Sequence, residues 1–302
     1  MRVLNFGSLN IDYVYQVDHF VQPGETMSAA SLRVNCGGKG LNQSVALARA
    51  GVETWHAGCI GPEGSFLKER LDAAGVDTRF VRQVEGSSGH AIIQVDPKGQ
   101  NCILLHDGAN AQITEPFADE VLSCFGPGDV LLLQNETSCV GYLLARAAER
   151  GLRVALNAAP ANGRLNDLPL ERLTWLLVNE VEGAFLAGTE DPEEMARVLT
   201  RRCPDTTLVL TLGAQGALAA LGEERVWMPA RRVPVVDTTA AGDTFTGYFL
   251  RGAMEGRPLE ETLGLATAAS ALAVGRAGAA DSVPDYREAE AFFRGAKTHD
   301  AL

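Results

Sequence analysis

The sequence predicts an α/β fold in which a mainly parallel sheet is flanked by helices on both faces, as a three-layer sandwich. Short apolar runs of strand length alternate along the chain with segments whose apolar residues recur at helical spacing, which is the pattern of strand–helix–strand units. With 302 residues, of which 46 % are apolar, the chain suits a single domain over 1–302 with a core of full size.

The N-terminal region predicts one buried strand, Val3–Phe6, followed by a small accessory sheet. Apolar and polar residues alternate from Ile11 to Val17, apart from Val14, which indicates a strand with one exposed face. The other strands expected in this sheet are Ala29–Val34 and the hairpin of His90–Val95 and Asn101–Leu105. We expect these segments, at about 11–35 and 88–106, to form a β-sheet lid.

Strands and helices then alternate to the C-terminus. The predicted strands are Val130–Leu133, Leu152–Leu156, Leu176–Val178 and Leu208–Leu212, and Arg232–Val236 is rich in β-formers. The predicted helices are Gly141–Arg150, Glu180–Ala187, Pro192–Arg202, Ala241–Met254, Leu259–Val274 and Tyr286–Arg294. Proline begins one of these helices and glycine follows others, as is typical of helix ends.

The composition excludes several classes of partner. Lys and Arg number 26 against 38 Asp and Glu, a formal net charge of −12, so we expect no nucleic-acid and no membrane partner. The six cysteines form no CxxC pair and no zinc-spaced cluster with histidine, which indicates reduced thiols and a cytoplasmic protein. No signal-peptide pattern and no run of about 18 apolar residues occurs.

The most informative stretch is Asp237-Thr238-Thr239-Ala240-Ala241-Gly242-Asp243-Thr244-Phe245, which leads into a predicted helix. The small residues Ala240, Ala241 and Gly242 let an anion approach the N–H groups and the positive dipole end of that helix. Asp243 could accept the proton of an attacking hydroxyl while those N–H groups hold the growing phosphate charge. The alternative is a first-turn acid that only complements the dipole; the small residues and the second acid, Asp237, favour catalysis.

The second stretch is Gly37-Gly38-Lys39-Gly40-Leu41-Asn42, a glycine loop that opens a helix. It matches neither the P-loop nor the dinucleotide fingerprint, so a nicotinamide oxidoreductase is disfavoured. The absence of GxSxG and HExxH patterns likewise leaves hydrolases without support. Lys39 and Asn42 beside an exposed backbone suit a polyol ligand.

Several polar residues follow predicted strands, at the edge where open α/β sheets bind ligands. Asn10 and Asp12 follow the first strand and share one side of an extended segment, where they could bind sugar hydroxyls or form an Asx turn. The others are Glu136, Asn179, Thr211 and Gly213, for each of which a capping or turn role is the alternative.

In their order and separation, the two glycine-containing stretches resemble the signatures of the ribokinase (pfkB) family of carbohydrate kinases, and the resemblance covers essentially the whole chain. Further matching stretches are Gly7-Ser8-Leu9-Asn10-Ile11-Asp12, His106-Asp107-Gly108-Ala109-Asn110, Asn157-Ala158-Ala159-Pro160-Ala161, Asn179-Glu180-Val181-Glu182 and Thr211-Leu212-Gly213. The resemblance implies a ribokinase-like fold whose lid often forms a dimer interface, so we expect a homodimer.

The resemblance also implies the reaction, which is ATP-dependent phosphorylation of a primary hydroxyl of a small sugar, ribose above others, with Mg²⁺ and a monovalent cation, K⁺. The implied sugar contacts are Asn10, Asp12, Gly38, Lys39, Asn42 and Glu136, with Asp243 as the base and Ala240, Ala241 and Gly242 in the anion hole. The implied nucleotide residues are Asn179, Thr211, Gly213 and Gly216, with Glu182 helping to place Mg²⁺. The implied cation positions are Asp237, Thr239, Ala273, Arg276, Gly278 and Ser282.

Two departures from the family pattern bear on the sugar. Phe66 stands where a glycine is typical, and Asp107 stands where a small apolar residue is usual, near the expected lid. Phosphorylation of fructose, deoxyribose, 2-keto-3-deoxygluconate or a nucleoside is therefore the alternative within the fold. An idle sugar- or nucleotide-binding regulator is the alternative of another class, but a missing base would be its signature, and Asp243 is present.

Overall fold

A computed structural model describes residues 1–297, so the last five residues of the predicted domain lie outside the described part. The strands are β1 Val3–Phe6, β2 Asn10–Gln16, β3 Ser31–Gly37, β4 Thr54–Ile60, β5 Asp77–Gln83, β6 Gly89–Val95, β7 Asn101–His106, β8 Val130–Gln134, β9 Arg153–Asn157, β10 Trp175–Asn179, β11 Thr207–Thr211, β12 Ala217–Leu221 and β13 Glu224–Met228. The helices are α1 Lys39–Arg49, α2 Ser65–Ala73, α3 Glu115–Leu122, α4 Val140–Glu149, α5 Glu180–Ala187, α6 Pro192–Arg202, α7 Ala241–Met254, α8 Leu259–Val274 and α9 Tyr286–Lys297.

The large sheet has nine strands in the order β13-β12-β11-β10-β9-β8-β1-β4-β5. Neighbours from β11 to β5 pair in parallel, and β12 and β13 add an antiparallel edge. The predicted class, a mainly parallel sheet covered by helices, is confirmed. Because the central strands run in parallel, their carboxyl ends meet at one edge, and that edge carries the candidate site.

Alternation along β8 shows how the sheet is covered on both faces. Leu131 and Leu133 belong to one apolar cluster, which includes residues of α3, α4 and α6. Val130 and Leu132 belong to a second cluster on the opposite face, with residues of α7, α8 and α9. All four side chains are fully buried, which explains why β8 reads as a continuous apolar run.

The second sheet has four strands in the order β3-β2-β6-β7, formed by the segments predicted for the lid. It is mixed, because β2 pairs with β6 in parallel while its other pairings are antiparallel. Asp12 lies on β2 in one row with Ala91 and Leu105, and Asn10 lies on the same face, whereas Tyr13, Ile92 and Leu104 lie on the opposite face. The face that carries Asp12 is therefore the one turned to the candidate site.

One stretch that is rich in β-forming residues does not form the strand that its composition suggests. Residues Arg232–Val236 form no strand, and the preceding strand β13 ends at Met228. Pro234 has no N–H to give to a ladder, and Val235 and Val236 stay exposed, at 70 % and 59 %, so their β-propensity has no neighbouring strand to satisfy. The segment that leads to α7 is an irregular surface loop. Along residues 1–297, no helix combines the length and the apolar character needed to cross a bilayer.

Candidate functional site

Glu136, just after β8, joins the loop after β1 to the start of α1. Its Oε2 atom accepts hydrogen bonds from Ser8 Oγ at 2.5 Å and from the backbone N–H of Lys39 at 3.1 Å. The Lys39 ammonium lies 3.7 Å from Glu136 Oε1, and the Glu136 side chain is only 9 % exposed. The segments after β1 and after β8, which were both expected at the carboxyl edge of the sheet, therefore meet the glycine loop at this carboxylate.

The glycine loop before α1 permits a close approach of main chains. Gly38 has φ +92°, a conformation that favours glycine, and a Cβ atom there would lie 2.9 Å from the carbonyl oxygen of Ser8. A Cβ atom on Gly40 would lie 2.4 Å from the backbone nitrogen of Ser8. A Cβ atom on Gly37 would lie 2.1 Å from Asp12 Oδ2. The loop thus fits directly against the strand ends, and glycine at these positions leaves room for Asp12.

Asp12 has an unusual environment for a carboxylate. Burial and, less strongly, the nearby charge of Glu136 raise the pKa of Asp12, and Lys39 lowers it; together they bring the pKa to about 7. The pKa of Lys39 is itself raised, because although burial lowers it, the charges of Glu136, Asp243 and Glu182 outweigh that effect. The site therefore places one fixed cation among several carboxylates, and Asp12 can exchange a proton near neutral pH.

Asn10 is held by a residue that the sequence reasoning did not place in the site. The side-chain amide of Asn110 donates to Asn10 Oδ1 at 2.7 Å, and Asn110 Oδ1 accepts from the backbone N–H of Leu9 at 3.0 Å. Asn110 is 2 % exposed. Asn110 is the last residue of a stretch that matches the family pattern, but the match did not indicate a role for it.

Asp243 lies in the first turn of α7, opposite α1. Asn42 Nδ2 donates to Asp243 Oδ2 at 3.0 Å, and Gln43 Nε2 donates to Asp243 Oδ1 at 2.8 Å. Burial raises the pKa of Asp243, while the charge of Lys39 and the two amide donors act in the opposite direction. A carboxylate with a raised pKa that is still hydrogen-bonded in its charged form has the properties of a general base.

The N-terminus of α7 is open on the side where an anion would bind. Ala240, at the N-cap, has φ 58°, which is unusual for a residue with a side chain and turns the chain sharply into the helix. A Cβ atom on Gly242 would meet no atom within 4 Å, so the space beside this turn is free. The first-turn N–H groups of a helix have no intrahelical acceptor. The N–H of Ala241 donates to the carbonyl oxygen of Thr238 at 3.3 Å, and the free space lies beside Gly242.

The predicted cation residues are only partly brought together. Asp237 accepts hydrogen bonds from the backbone N–H groups of Thr239 at 2.9 Å and Gly278 at 3.0 Å. Ala273 lies in the last turn of α8, where its carbonyl accepts from the N–H of Arg276 at 3.0 Å. The Arg276 side chain instead pairs with Glu288, and Ser282 Oγ donates to Ala279 O at 2.8 Å. Within residues 1–297 no cluster of three or more His, Cys, Asp or Glu could hold a metal ion.

The predicted nucleotide residues follow neighbouring strands, since Asn179 pairs with Thr211 across β10 and β11. Asn179 caps α5: its Oδ1 atom accepts from the N–H groups of Val181 and Glu182, and its own N–H donates to Glu182 Oε2. Asn179 therefore has the capping role that the sequence offered as an alternative, and Glu182 forms the second half of this capping box.

The glycines after β11 have conformations that few other residues adopt. Gly213 has φ +50°, and Gly216 has φ +108° with its Cβ position 2.0 Å from the carbonyl oxygen of Met228. Thr211 Oγ1 lies 3.4 Å from the carbonyl oxygen of Val178. These residues shape a turn at the same sheet edge as Glu136.

The two departures from the family pattern have structural partners. Phe66 packs against the cluster of Leu9, Ile11 and Leu41, beneath the lid sheet. Asp107 lies 3.7 Å from Arg164, with 44 % and 59 % of the two side chains exposed. Asp107 thus forms a weak, solvent-exposed ion pair with an arginine across the loop surface.

Sequence reasoning also missed Ser8, Gln43 and Gln134, which contact or support the site. Glutamine in a helix or at a strand end carries no signal of its own, because most glutamines are surface residues. A matching stretch contained Ser8, but only its contact with Glu136 gives it a role.

Comparisons with known proteins agree with this geometry. The model of the family described as pfkB family carbohydrate kinase matches residues 2–286. The chain is 35 % identical to ribokinase of Haemophilus influenzae over 292 residues, covering 93 % of this chain and 95 % of that protein. The crystal structure of ribokinase from Thermotoga maritima is similar with a TM-score of 0.86 and 34 % identity, over 97 % of this chain and 99 % of that one. Arabidopsis thaliana ribokinase complexed with ribose and ATP gives a TM-score of 0.85 at 29 % identity, over 97 % and 98 % of the two chains.

Proposed function

The chain belongs to the pfkB family of carbohydrate kinases and is an ATP-dependent sugar kinase, and from this premise we propose that it phosphorylates the primary hydroxyl of ribose to give ribose 5-phosphate. The observation that carries the proposal is the hydrogen bond from Asn42 to Asp243, at 3.0 Å. This bond connects Asn42, one of the side chains suited to bind a polyol, with Asp243, the carboxylate suited to act as the base.

In the proposed mechanism Asp243 takes the proton of the attacking hydroxyl. The sugar that carries this hydroxyl is held by Asn10, Asp12, Lys39 and the other sugar contacts. The first-turn N–H groups beside Gly242, in the turn formed by Ala240 and Ala241, hold the phosphoryl charge that grows during in-line transfer. The remaining proposed sugar contacts are Gly38, Asn42 and Glu136.

The proposed nucleotide site lies at the ends of β10 and β11. Asn179 is the cap of α5 and keeps its side-chain amide donors, while Thr211, Gly213 and Gly216 border the same edge. Mg²⁺ would neutralise phosphate charge there, and Glu182 fits the role of holding its water, because its Oε1 atom is not used in the capping bond. A buried carboxylate beside a strand end is suitable chemistry for a hard cation.

A monovalent cation, K⁺, is proposed beside the anion site. Its support is the hydrogen bond between Asp237 and Gly278, which joins a carboxylate before α7 to the loop after α8. The proposed ligating positions are Asp237, Thr239, Ala273, Arg276, Gly278 and Ser282, several of them through the backbone carbonyl. A cation there would strengthen the field of the anion site without contacting the sugar.

The charges of the site favour a neutral sugar. Asp12, Glu136 and Asp243 surround a single fixed cation, Lys39, so an additional carboxylate on the substrate would be repelled. This argues for ribose, deoxyribose or fructose and against 2-keto-3-deoxygluconate. Ribose is preferred because relatives that are 31–35 % identical over 93–97 % of this chain are ribokinases.

The test is ADP release from Mg·ATP, with and without K⁺, across ribose, deoxyribose, fructose, 2-keto-3-deoxygluconate and nucleosides. The proposal expects the highest kcat/KM with ribose and stimulation by K⁺. A higher kcat/KM with another substrate would overturn the choice of ribose. No turnover together with no ATP binding would favour the idle regulator.

The proposal includes the assembly of the protein. The sheet of β2, β3, β6 and β7 is proposed to act as a lid over the sugar and to form a homodimer through its outer face. Exposed apolar residues on that sheet support this, since contiguous apolar surface of this kind is typical of contacts. A cytoplasmic location is proposed from the free cysteines.

A further inference from the structure

A chain of buried amide side chains lies behind Asp243. Gln43 donates to Asp243, and Gln134 Nε2 donates both to Gln43 Oε1 at 2.7 Å and to Asn5 Oδ1 at 2.9 Å. Asn5 Nδ2 then donates to the carbonyl oxygen of Gly40 at 2.8 Å. Gln43, Gln134 and Asn5 are all 0 % exposed, so none of these contacts is shared with solvent.

Both ends of this chain are acceptors, which fixes the direction of every bond. An ionised Asp243 can only accept, so Gln43 must present its NH₂ group to it and its oxygen to Gln134. The carbonyl of Gly40 can also only accept, so Asn5 must present its NH₂ group there and its oxygen to Gln134. The two directions meet at the NH₂ group of Gln134, which has two hydrogens to give.

The fold is shaped around this arrangement. Gln134 is the last residue of β8 and Asn5 lies on β1, its neighbour, while Gln43 is on α1. A Cβ atom on Gly7 would lie 2.4 Å from Gln134 Oε1, so the glycine leaves room for that side chain. Each of the three NH₂ groups donates at least one hydrogen bond, whereas Gln134 Oε1 is buried without a hydrogen-bond partner. Because burying an amide without hydrogen bonds costs free energy, these bonds favour the observed orientation of the three side chains.

The charged groups that act on Asp243 come from two other elements. Lys39 at the start of α1 favours the ionised carboxylate, and Glu136 after β8 disfavours it. Asn42 and Gln43 are the two side chains that donate to the carboxylate, one to each oxygen. Asn42 is already a proposed sugar contact, whereas Gln43 is fully buried and contacts Asp243 from the side of the sheet.

We propose that Gln43 is a positioning residue that orients the carboxylate of Asp243 and keeps it ionised, and that Gln134 and Asn5 set the orientation of Gln43. This inference rests on the proposed role of Asp243 as the base. It gives the buried amides a function in the reaction, although they are not among the proposed sugar or nucleotide contacts.

The test is the pH profile of turnover in Gln43→Met, which keeps the length of the side chain and removes the donor. Loss of one hydrogen bond to a buried carboxylate should raise its pKa, so the acidic limb of the log kcat profile should move to higher pH by about one to two units. At pH values below the shifted pKa, turnover should be about tenfold or more lower than in the wild type, and it should recover at alkaline pH. Sugar affinity, measured by calorimetry, should change by less than about threefold because no sugar contact is removed.

Gln134→Met tests the orientation step without touching Asp243 or adding charge. Gln43 would keep its donor but lose the bond that fixes its amide, so the acidic limb should move in the same direction by a smaller amount. The matched control is Leu47→Ala, a fully buried residue of the same helix whose loss should lower thermal stability without moving the limb. Wild-type limbs in both glutamine variants would overturn the proposal, as would an equal shift in Leu47→Ala.

Asp243→Asn separates this proposal from the one on which it rests. Near-normal turnover in Asp243→Asn would overturn the base itself. Loss of turnover in Asp243→Asn together with a wild-type acidic limb in Gln43→Met and Gln134→Met would leave the base in place and overturn the positioning role.

Discussion

Asp237 and Gly278 link the loop before α7 to the loop after α8: the Oδ2 atom of Asp237 accepts a hydrogen bond of 3.0 Å from the backbone N–H of Gly278. The second carboxylate oxygen accepts from the N–H of Thr239 at 2.9 Å. Burial raises the pKa of Asp237, but these donors outweigh it and hold the pKa below its ordinary value. The carboxylate is therefore charged at neutral pH and ties both loops to the start of α7.

Asp237→Asn is expected to weaken the proposed K⁺ site. An amide is neutral and cannot accept at both of its polar atoms, so one loop contact and the negative charge are lost together. We expect the K⁺ concentration for half-maximal activation to rise at least about tenfold, with the sugar KM little changed. The measurement is a K⁺ titration of ADP release, accompanied by a K⁺ titration of the melting temperature.

The pH dependence gives a second check on Asp237. Because its folded pKa is depressed, the stability that it contributes is present above the ordinary carboxyl pKa and is lost as the pH falls through the folded value. Asp237→Asn should thus be less stable than the wild type at pH 7 and no less stable at about pH 2. An unchanged K⁺ response in a folded Asp237→Asn variant would contradict the cation site.

Gly242→Ala is expected to change stability and activity in opposite directions. Gly242 lies in the first turn of α7, where a Cβ atom meets nothing within 4 Å, so alanine should stabilise the helix by about 0.5–1 kcal/mol. The added methyl group would occupy the space beside the N–H groups that are proposed to hold the phosphoryl charge. Turnover should fall about tenfold or more, because loss of such donors raises the barrier by a few kcal/mol.

Gly247→Ala serves as a contrast on the same helix. A Cβ atom on Gly247 would lie 2.6 Å from Ala46 Cβ, so this variant should be destabilised. Thermal unfolding and steady-state ADP release measure both effects. A Gly242→Ala variant with wild-type turnover would argue against an anion site at this turn.

Several elements could be predicted because their ends carry local signals. The helices Pro192–Arg202, Ala241–Met254 and Leu259–Val274 begin and end where the sequence predicted. Pro192 starts its helix with a fixed φ and no N–H to lose, and the acid before it caps it. Such signals act within a few residues and need no tertiary partner.

The parts that the sequence did not predict depend on distant partners. Residues Ala217–Leu221 are all alanine or leucine, which favour helices, yet they form β12 because β11 and β13 pair with them. Val235 and Val236 show the reverse, since their β-propensity finds no neighbouring strand. The site divides in the same way: the glycine loops were visible locally, whereas the role of Gln43 depends on a residue 200 positions away.

Asp12 is expected to make both stability and sugar binding depend on pH. Its folded pKa, about 7, lies above the ordinary value of 3.8, so the folded chain binds this proton more tightly than the unfolded chain. The favourable contribution at acidic pH is lost as the pH rises from about 4 to about 7, and the full shift corresponds to at most about 4 kcal/mol. Asp12→Asn cannot ionise and should therefore gain stability relative to the wild type as the pH rises.

Chemical denaturation at pH 5 and pH 8 measures this difference. Asp18→Asn is the matched control, because it removes the same charge at an exposed position just beyond the end of the same strand. The sugar KM of the wild type should fall as the pH rises through about 7, since the ionised Asp12 is the better acceptor for a hydroxyl group. A stability difference between wild type and Asp12→Asn that is the same at both pH values would contradict the raised pKa.

The apolar residues on the outer face of the lid sheet lead to a prediction about the proposed homodimer. Val34, Tyr13, Ile92 and Leu104 lie in one row across the four strands, and Val34 and Leu104 are 50 % and 68 % exposed. A charge placed in an apolar interface must be desolvated without a partner, so Leu104→Glu should turn the proposed homodimer into a monomer. Ile103→Glu is the control, because Ile103 is 55 % exposed on the opposite face of the same strand. Light scattering should give a monomer mass for Leu104→Glu and a dimer mass for Ile103→Glu, and the reverse result would assign the interface to the face that carries Asp12.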